Sequence, residues 1–154
     1  MFSGILRGAA AGAAGTTALD AVTYADMAGR ARPASETPQR TIATIARRIG
    51  HPVEGDSDTR VNRLTGLGAL SGIVTGVGVG AAFGLLRGIG LRPPIWAGSL
   101  LVGAVAMIAA NGPMAGLRVS DPRAWSRTDW LADIVPHVAY GFTTYAALAM
   151  MDSK

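Results

Sequence analysis

The sequence predicts an all-helical membrane protein: a bundle of four transmembrane helices forming a single domain over residues 1–154. Of the residues, 49% are hydrophobic and 16% are charged, a balance typical of chains that mostly cross a bilayer. Glycines also recur every four residues within the apolar runs. In water each such glycine costs a helix about 1 kcal/mol relative to alanine, whereas hydrocarbon forces the backbone to hydrogen-bond within its own segment.

Four apolar runs have the length of about 20 residues that crosses a bilayer core. They cover approximately residues 4–27, 65–86, 94–111 and 131–151. The first contains Asp20 and Asp26, and we interpret it as a retained span because no convincing signal-peptide cleavage site follows it. Pro94 suits the first turn of the third span, and the sequence Asn111-Gly112-Pro113 is predicted to end it.

Two glycine ladders predict a glycine zipper between the first and second spans. Their members are Gly4, Gly8 and Gly12, and then Gly68, Gly72, Gly76, Gly80, Gly84 and Gly88. A ridge of small residues lets a second helix approach closely where lipid offers no hydrophobic drive for association. We expect the ridge of Gly72, Gly76 and Gly80 to pack against Gly8 and Gly12 of the same chain.

The only long polar segment, residues 29–63, contains a predicted amphipathic helix. Thr37 is its expected N-cap and Pro38 its first helical residue. One face carries Ile42, Ile45, Ala46 and Ile49, and the other carries Arg40, Thr44, Arg47 and Arg48. Two interpretations remain open. The arginines Arg40, Arg47 and Arg48 could hold the helix on anionic lipid headgroups, or the helix could pack back on its own bundle.

The distribution of basic residues predicts the orientation in the membrane. Ten Arg residues lie in the first and third loops, against four Arg or Lys elsewhere. The positive-inside rule therefore places both loops in the cytoplasm and both termini outside. Trp96, Trp125 and Trp130 fall near predicted span ends, where the membrane interface favours indole rings.

Polar residues inside the spans are the candidate functional residues, because ionisable groups at membrane depth usually face a bundle interior. In the fourth span Asp133, His137 and Tyr140 follow one another at helical spacing. In the first span Thr16 and Asp20 form a comparable stripe. One hypothesis joins Asp20, Asp133 and His137 in a proton- or cation-handling site. The alternative, which we favour, makes these residues hydrated or structural contacts between helices.

Other chemistry finds little support in the sequence. There is no cysteine, so disulfides and thiolate ligands are excluded, and His51 and His137 should lie too far apart to share a metal or haem. No G-x-S-x-G nucleophile motif is present, and the glycines at residues 76–80 lack the lysine of a phosphate loop. The arginines lie between apolar spans, which argues against nucleic-acid binding. We expect no cofactor and no metal site.

The C-terminal quarter resembles YagU-like bacterial inner-membrane proteins. The likeness rests on Pro113-Met114-Ala115-Gly116-Leu117, on Asp129-Trp130, and on His137 with Tyr140. The glycine ladders and the arginine-rich first loop depart from that family. The resemblance implies a small polytopic protein of the bacterial inner membrane, with a role in envelope or acid-stress physiology, and it transfers no catalytic residue.

From these observations we expect a non-enzymatic accessory or scaffold-like protein of the bacterial plasma membrane. Its expected partners are the lipid bilayer and either a second copy of the chain or another membrane protein. The alternative is a small proton- or cation-coupled carrier that uses Asp20, Asp133 and His137. A lipid-modifying enzyme has the least support because no nucleophile or metal set is evident.

Overall fold

Five α-helices and one short 3-10 turn make up the computed structural model, which describes residues 2–151. The helices are α1 (Phe2–Arg30), α2 (Thr37–Arg48), α3 (Ser57–Gly88), α4 (Ile95–Gly116) and α5 (Arg127–Met151), and the 3-10 turn is Pro122–Ala124. No strand occurs in that part of the chain. The prediction of an all-helical fold is confirmed.

Helix boundaries differ from the predicted spans for local reasons. Helix α3 begins eight residues before its span because the Asp56 side chain accepts a hydrogen bond from the Thr59 amide at 2.9 Å and caps the first turn. Helix α4 continues to Gly116, so the prediction that it ends at Asn111-Gly112-Pro113 is wrong. A proline removes only its own amide donor, and the Leu117 amide still bonds to the Pro113 carbonyl at 2.9 Å.

The four predicted membrane spans are confirmed only in part. By length and apolar composition two helices could cross a membrane, α3 and α4, where the sequence predicted four. Helices α1 and α5 have 29 and 25 residues, long enough for a bilayer core of about 30 Å. Neither contains an apolar stretch as long as that of α3, because Asp20 interrupts α1 and Asp133 and His137 interrupt α5, whereas the charged residues of α3 lie near its ends.

The long helices run antiparallel to their neighbours. Helix α1 packs on α3 and on α5, and α5 packs in turn on α4. Along α1 and α3, Gly4 lies against Gly84 and Gly12 lies against Gly76, so the chain directions oppose each other. Along α4 and α5, Gly98 lies against Tyr145 and Gly103 lies against the His137 carbonyl. Helix α5 therefore packs on both α1 and α4, and α4 also contacts α3 directly.

The glycine ladders of α1 and α3 meet through Gly76, Gly80 and Gly84, whereas the prediction had Gly72, Gly76 and Gly80. A Cβ added at Gly8 would collide with the Gly80 carbonyl oxygen and lie 2.9 Å from the Gly84 Cα. The same addition at Gly72 would meet no atom within 4 Å, so Gly72 does not take part in the predicted ridge. Gly68 lies against α2, with the Gln39 amide nitrogen 3.3 Å from an added Cβ.

Helix α2 packs against α3, with its first turn at Pro38 and Gln39 beside Gly68. Thr41 and Ala43 are buried, while Ile45 and Ile49 of the predicted apolar face stay exposed. The N-cap is Glu36, not Thr37, and its side chain makes no capping bond. The Thr37 amide donates instead to Ser35 Oγ at 3.2 Å. Helix α2 thus rests on the bundle with one side and leaves isoleucine and arginine side chains uncovered on the other.

The buried core is small compared with the apolar surface. Its members are Ala11, Phe83, Val102, Ala106, Tyr140, Tyr145 and Leu148. The accessible area is 9165 Å², above the roughly 7,300 Å² that a compact soluble chain of this mass would expose. Large apolar side chains on the outer faces of the helices, such as Val74 and Ile108, are 69% and 70% exposed.

Candidate functional site

Tyr140 lies at the centre of the bundle, where α1, α3 and α5 meet. It has no exposed surface, and its hydroxyl donates to the Gly76 carbonyl of α3 at 2.6 Å. Its ring lies where a side chain at Gly15 of α1 would otherwise be, with Cδ2 2.9 Å from an added Cβ. The ring fits here because position 15 is a glycine, whereas a side chain at position 76 would collide with Thr16 of α1. The Tyr140 hydroxyl therefore links α5 to α3.

Asp133 and His137 lie together, as their spacing of one helical turn predicts, but the hydrogen bond is not between the side chains. His137 Nδ1 lies 2.7 Å from the backbone carbonyl oxygen of Asp133 and 3.5 Å from its carboxylate. Because a carbonyl can only accept, Nδ1 carries the proton of that bond. The carboxylate accepts a bond from the Asn111 amide of α4 at 2.7 Å.

Asn111 is the site residue that sequence reasoning missed. We interpreted it only as part of a helix-ending sequence, whereas its side chain links α4 to α5 at the level of Asp133. An asparagine inside an apolar span was the available signal, since amide side chains commonly hydrogen-bond across helices in membranes.

Thr16 and Asp20 do not join this cluster directly. The Thr16 hydroxyl donates to the Gly12 carbonyl of its own helix at 2.9 Å. Asp20 is half-buried, and no hydrogen bond or ion pair to it occurs among residues 2–151. Gly15 of α1 faces Tyr140 and Thr144 of α5. Asp20 follows Gly15 by five residues, so the antiparallel arrangement of the two helices puts it level with residues 135–139 of α5. The structure thus brings Asp133 and His137 together and leaves Asp20 at the same height on another helix.

A groove of about 290 Å³ between α4 and α5 is the cavity nearest to this cluster. Its lining residues are Leu100, Gly103, Ala104, Met107, Ile134, His137 and Val138. His137 is the only one with a polar side chain, and it is 9% exposed. No group of three or more potential metal ligands occurs in the described chain. The arrangement can accept or donate a single hydrogen bond within an apolar surface.

A capping box at the start of α5 was also missed by sequence reasoning. The Asp129 carboxylate accepts bonds from the Ser126 amide at 2.9 Å and from its hydroxyl at 2.7 Å, and the Asp129 amide donates to Ser126 Oγ at 3.2 Å. The S-x-x-D pattern before an apolar run was the available signal. It lies beside Trp125 and Trp130, whose rings meet edge to face at 5.1 Å.

Comparison with family models, with curated proteins and with solved structures finds no match to this chain. The resemblance to YagU-like proteins stays a prediction. What can be said of the protein's function therefore depends on the geometry described above.

Proposed function

We propose that the protein is a small polytopic protein of the bacterial plasma membrane whose four long helices, α1, α3, α4 and α5, all cross the bilayer, and that it serves as a non-enzymatic accessory or scaffold component of the envelope. The observation that carries this proposal is the amount of apolar side chain on the outer faces of the helices. Monomeric soluble proteins rarely expose large contiguous apolar patches, whereas lipid-facing helices must.

The backbone contacts between α1 and α3 support the same proposal. Glycine-mediated approach is the packing mode of helices in lipid, where dispersion and weak Cα–H···O contacts replace the hydrophobic drive. The apolar stretches of α1 and α5 are interrupted by Arg7, Asp20, Asp133 and His137. These residues are compatible with insertion, because polar groups inside a bundle can face one another or water.

The ends of the bundle carry features that suit a membrane interface. Trp125 and Trp130 lie at the start of α5, and Trp96 lies at the start of α4. Arg30 and Arg32 hold Asp26 at the end of α1, each at 2.6 Å. The arginine count alone favours cytoplasmic first and third loops. Exposed Arg40, Arg47 and Arg48 on α2 would then meet anionic headgroups.

The polar groups of the bundle favour an accessory role over catalysis. Tyr140 and Asp133 each use their polar atoms to link two helices, as structural polar contacts in membranes do. Among the described residues no nucleophile lies with a base and an orienting acid in the manner of a covalent catalyst.

A depth test separates a lipid-facing surface from a water-facing one. Val74 and Val61 both lie on α3 and are 69% and 60% exposed, but Val61 precedes the predicted span whereas Val74 is near its middle. An aspartate costs about 2.5–3.5 kcal/mol at the bilayer centre and less than about 0.5 kcal/mol on a wetted surface. Val74→Asp should therefore reduce the carbonate-resistant membrane fraction strongly, while Val61→Asp should not.

If the parent chain stays in solution without detergent, or if the two aspartate variants fractionate alike, the apolar faces do not contact lipid. The matched valines control for residue type, helix and exposure.

A proton- or cation-coupled carrier is the second candidate, favoured by the buried His137 beside Asp133 and by Asp20, which lies at the same level without a partner in residues 2–151. For a carrier, His137→Ala and Asp20→Asn should each abolish flux in reconstituted vesicles while the protein stays folded. An absence of flux in the parent under proton or cation gradients would remove this candidate and leave the accessory role.

A further inference from the structure

Helix α2 carries positive charge that no acidic side chain neutralises. Its sequence contains no Asp or Glu, and its three arginines, Arg40, Arg47 and Arg48, are all exposed. Within residues 2–151 none of the three forms an ion pair, whereas Arg30 at the end of α1 binds Asp26 at 2.6 Å. The helix therefore presents a cationic surface, which attracts anions.

The same helix leaves an apolar edge largely uncovered by protein. Ile45 and Ile49 lie one turn apart on one side of α2 and are 38% and 64% exposed. The remaining isoleucine, Ile42, is half-buried. Exposed isoleucines beside unpaired arginines are typical of a helix that lies in the membrane interface, with apolar side chains below the headgroups and cations among them.

The contact between α2 and α3 sets the depth of this helix. A Cβ added at Gly68 of α3 would lie 3.3 Å from the Gln39 amide nitrogen and 3.3 Å from Pro38 Cβ, so the first turn of α2 lies at the level of Gly68. Gly68 is three residues, or about 4.5 Å, beyond Thr65, where the apolar run of α3 begins. Interfacial helices bury their apolar side about 5–10 Å into the boundary between headgroups and acyl chains. If α3 crosses the bilayer as proposed above, on which this inference rests, α2 lies at that boundary.

We propose that α2 is a selective binding site for anionic phospholipids, in which Ile45 and Ile49 insert among the acyl chains while Arg40, Arg47 and Arg48 bind the lipid phosphates. The guanidinium group matches a phosphate with two parallel hydrogen bonds. Each basic residue near an anionic leaflet strengthens binding about fivefold. Zwitterionic lipids also carry a phosphate but no net charge, so the arginines should concentrate anionic lipids around α2.

The insertion of the apolar edge is tested with the full-length protein reconstituted in phosphatidylcholine vesicles that contain a minority of phosphatidylglycerol. The chain has no cysteine, so Ile49→Cys provides a single attachment point for a bimane fluorophore. Lipids brominated on their acyl chains quench a fluorophore that lies among those chains. The label at Ile49→Cys should be quenched strongly. A label at Thr44→Cys, on the arginine side of the same helix, should be quenched much less.

The preference for anionic headgroups is measured by brominating one lipid at a time. At equal mole fraction, brominated phosphatidylglycerol should associate with the label at Ile49→Cys at least about fivefold more strongly than brominated phosphatidylcholine. Replacing Arg40, Arg47 and Arg48 together by Gln should remove this preference. Because these side chains are exposed, their replacement should leave the bundle folded.

A second triple variant serves as the matched control. It replaces three exposed arginines outside α2 and removes the same net charge from the first and third loops and the helix starts beside them, through Arg60→Gln, Arg123→Gln and Arg127→Gln. This variant should keep the preference of the label at Ile49→Cys for phosphatidylglycerol, because the arginines of α2 are intact.

Several results would overturn the inference. They are an unquenched label at Ile49→Cys, equal association of the two lipids, an unchanged preference without the arginines of α2, and an equal loss of preference in both triple variants. A label that is shielded from water but not quenched by lipid would assign the apolar edge to a second copy of the chain or to another protein. All measurements use protein that floats with the vesicles, so they are distinct from the failure of membrane integration that the valine pair detects.

Discussion

At the scale of single residues, the start of α5 depends on the reciprocal bonds between Ser126 and Asp129. Hydrogen bonds from the Ser126 hydroxyl, and then from its amide, lower the pKa of the Asp129 carboxyl below its usual 3.8, and Arg30 adds a smaller electrostatic contribution. The influence of Arg30 shows that the end of α1 lies near the start of α5. The capping box thus acts where two helices end together.

The contribution of Asp129 to stability should depend on pH. Because the folded state lowers the pKa of Asp129, its contribution to stability is fully present above the unfolded pKa near 3.8 and is lost as the pH falls through the lower folded pKa. Asp129→Asn should therefore lower the melting temperature at pH 6, and the difference from the parent should shrink as the pH approaches 3. Thermal unfolding in detergent across this range measures it.

The exposed Asp58, one residue into α3, gives a control for that experiment. Within residues 2–151 its carboxylate accepts a single hydrogen bond, from the neighbouring Ser57 hydroxyl at 3.3 Å. Asp58→Asn should produce a smaller difference than Asp129→Asn at pH 6. A constant difference between parent and Asp129→Asn from pH 6 to pH 3 would contradict the role of the ionised carboxylate.

At the scale of helices, the contact between α1 and α3 is made by backbone. An added Cβ at Gly80 would collide with the Gly8 carbonyl oxygen and lie 2.6 Å from the Gly12 Cα. Neither atom can move away as a flexible side chain could. Gly72, only two turns away on the same helix, has open space around it, so the two positions differ in packing and share the same propensity cost.

Gly80→Ala and Gly72→Ala should consequently shift stability in opposite directions. Overpacking at Gly80 should cost about 1–3 kcal/mol, whereas Gly72→Ala should gain up to about 1 kcal/mol from helix propensity alone. The melting temperatures of both variants in the same detergent give the comparison. If Gly80→Ala is as stable as Gly72→Ala, the two helices do not depend on close approach at this rung.

The register of this interface could be predicted only in part. The four-residue periodicity of the glycines indicated that two helices each carry a face of small residues, and it indicated which residues form each face. It could not choose between alignments that differ by one rung, because every rung presents the same glycine. The choice depends on residues outside the ladders, such as Tyr140, which fits against Gly15 and Gly76, and Pro38, whose helix lies against Gly68.

At the scale of the whole molecule, the arginines divide the bundle into two unequal ends. Ten of the thirteen lie at one end, on the end of α1, on α2, on the starts of α3 and α5 and in the loops between them, and the opposite end has Arg7, Arg87 and Arg92. Arg87 is buried there with its guanidinium 4.9 Å from the Tyr145 ring centre, a cation–π contact that retains a charge inside the bundle.

Orientation can be measured at Ser57, the exposed first residue of α3. Ten basic residues in the first and third loops against four elsewhere predict that Ser57 faces the cytoplasm. With Ser57→Cys, the chain's only cysteine should resist impermeant thiol reagents in intact cells and react after lysis. A cysteine at Ile89, beyond the other end of α3, should show the reverse pattern. Labelling of Ser57→Cys in intact cells would invert the proposed topology.

The helices themselves could be predicted from the sequence, but the candidate site could not be assembled from it. Spacing placed Asp133 and His137 on one face of α5. It could not show that His137 would bond to the carbonyl of Asp133 and leave the carboxylate to Asn111, because that choice depends on how α4 lies across α5. The groove beside His137 has no sequence signature, since most of its lining is ordinary apolar residues from two helices.

The hydrogen bond from Tyr140 to Gly76 also bears on the order in which the helices pack together. Helices α1 and α3 are synthesised first and can pair through their glycines before α5 exists. The pocket for Tyr140, with Gly15 on one side and the Gly76 carbonyl on the other, is complete only after that pairing. Because α5 is the last of the long helices in the chain, we expect it to dock into a pocket that α1 and α3 have already formed.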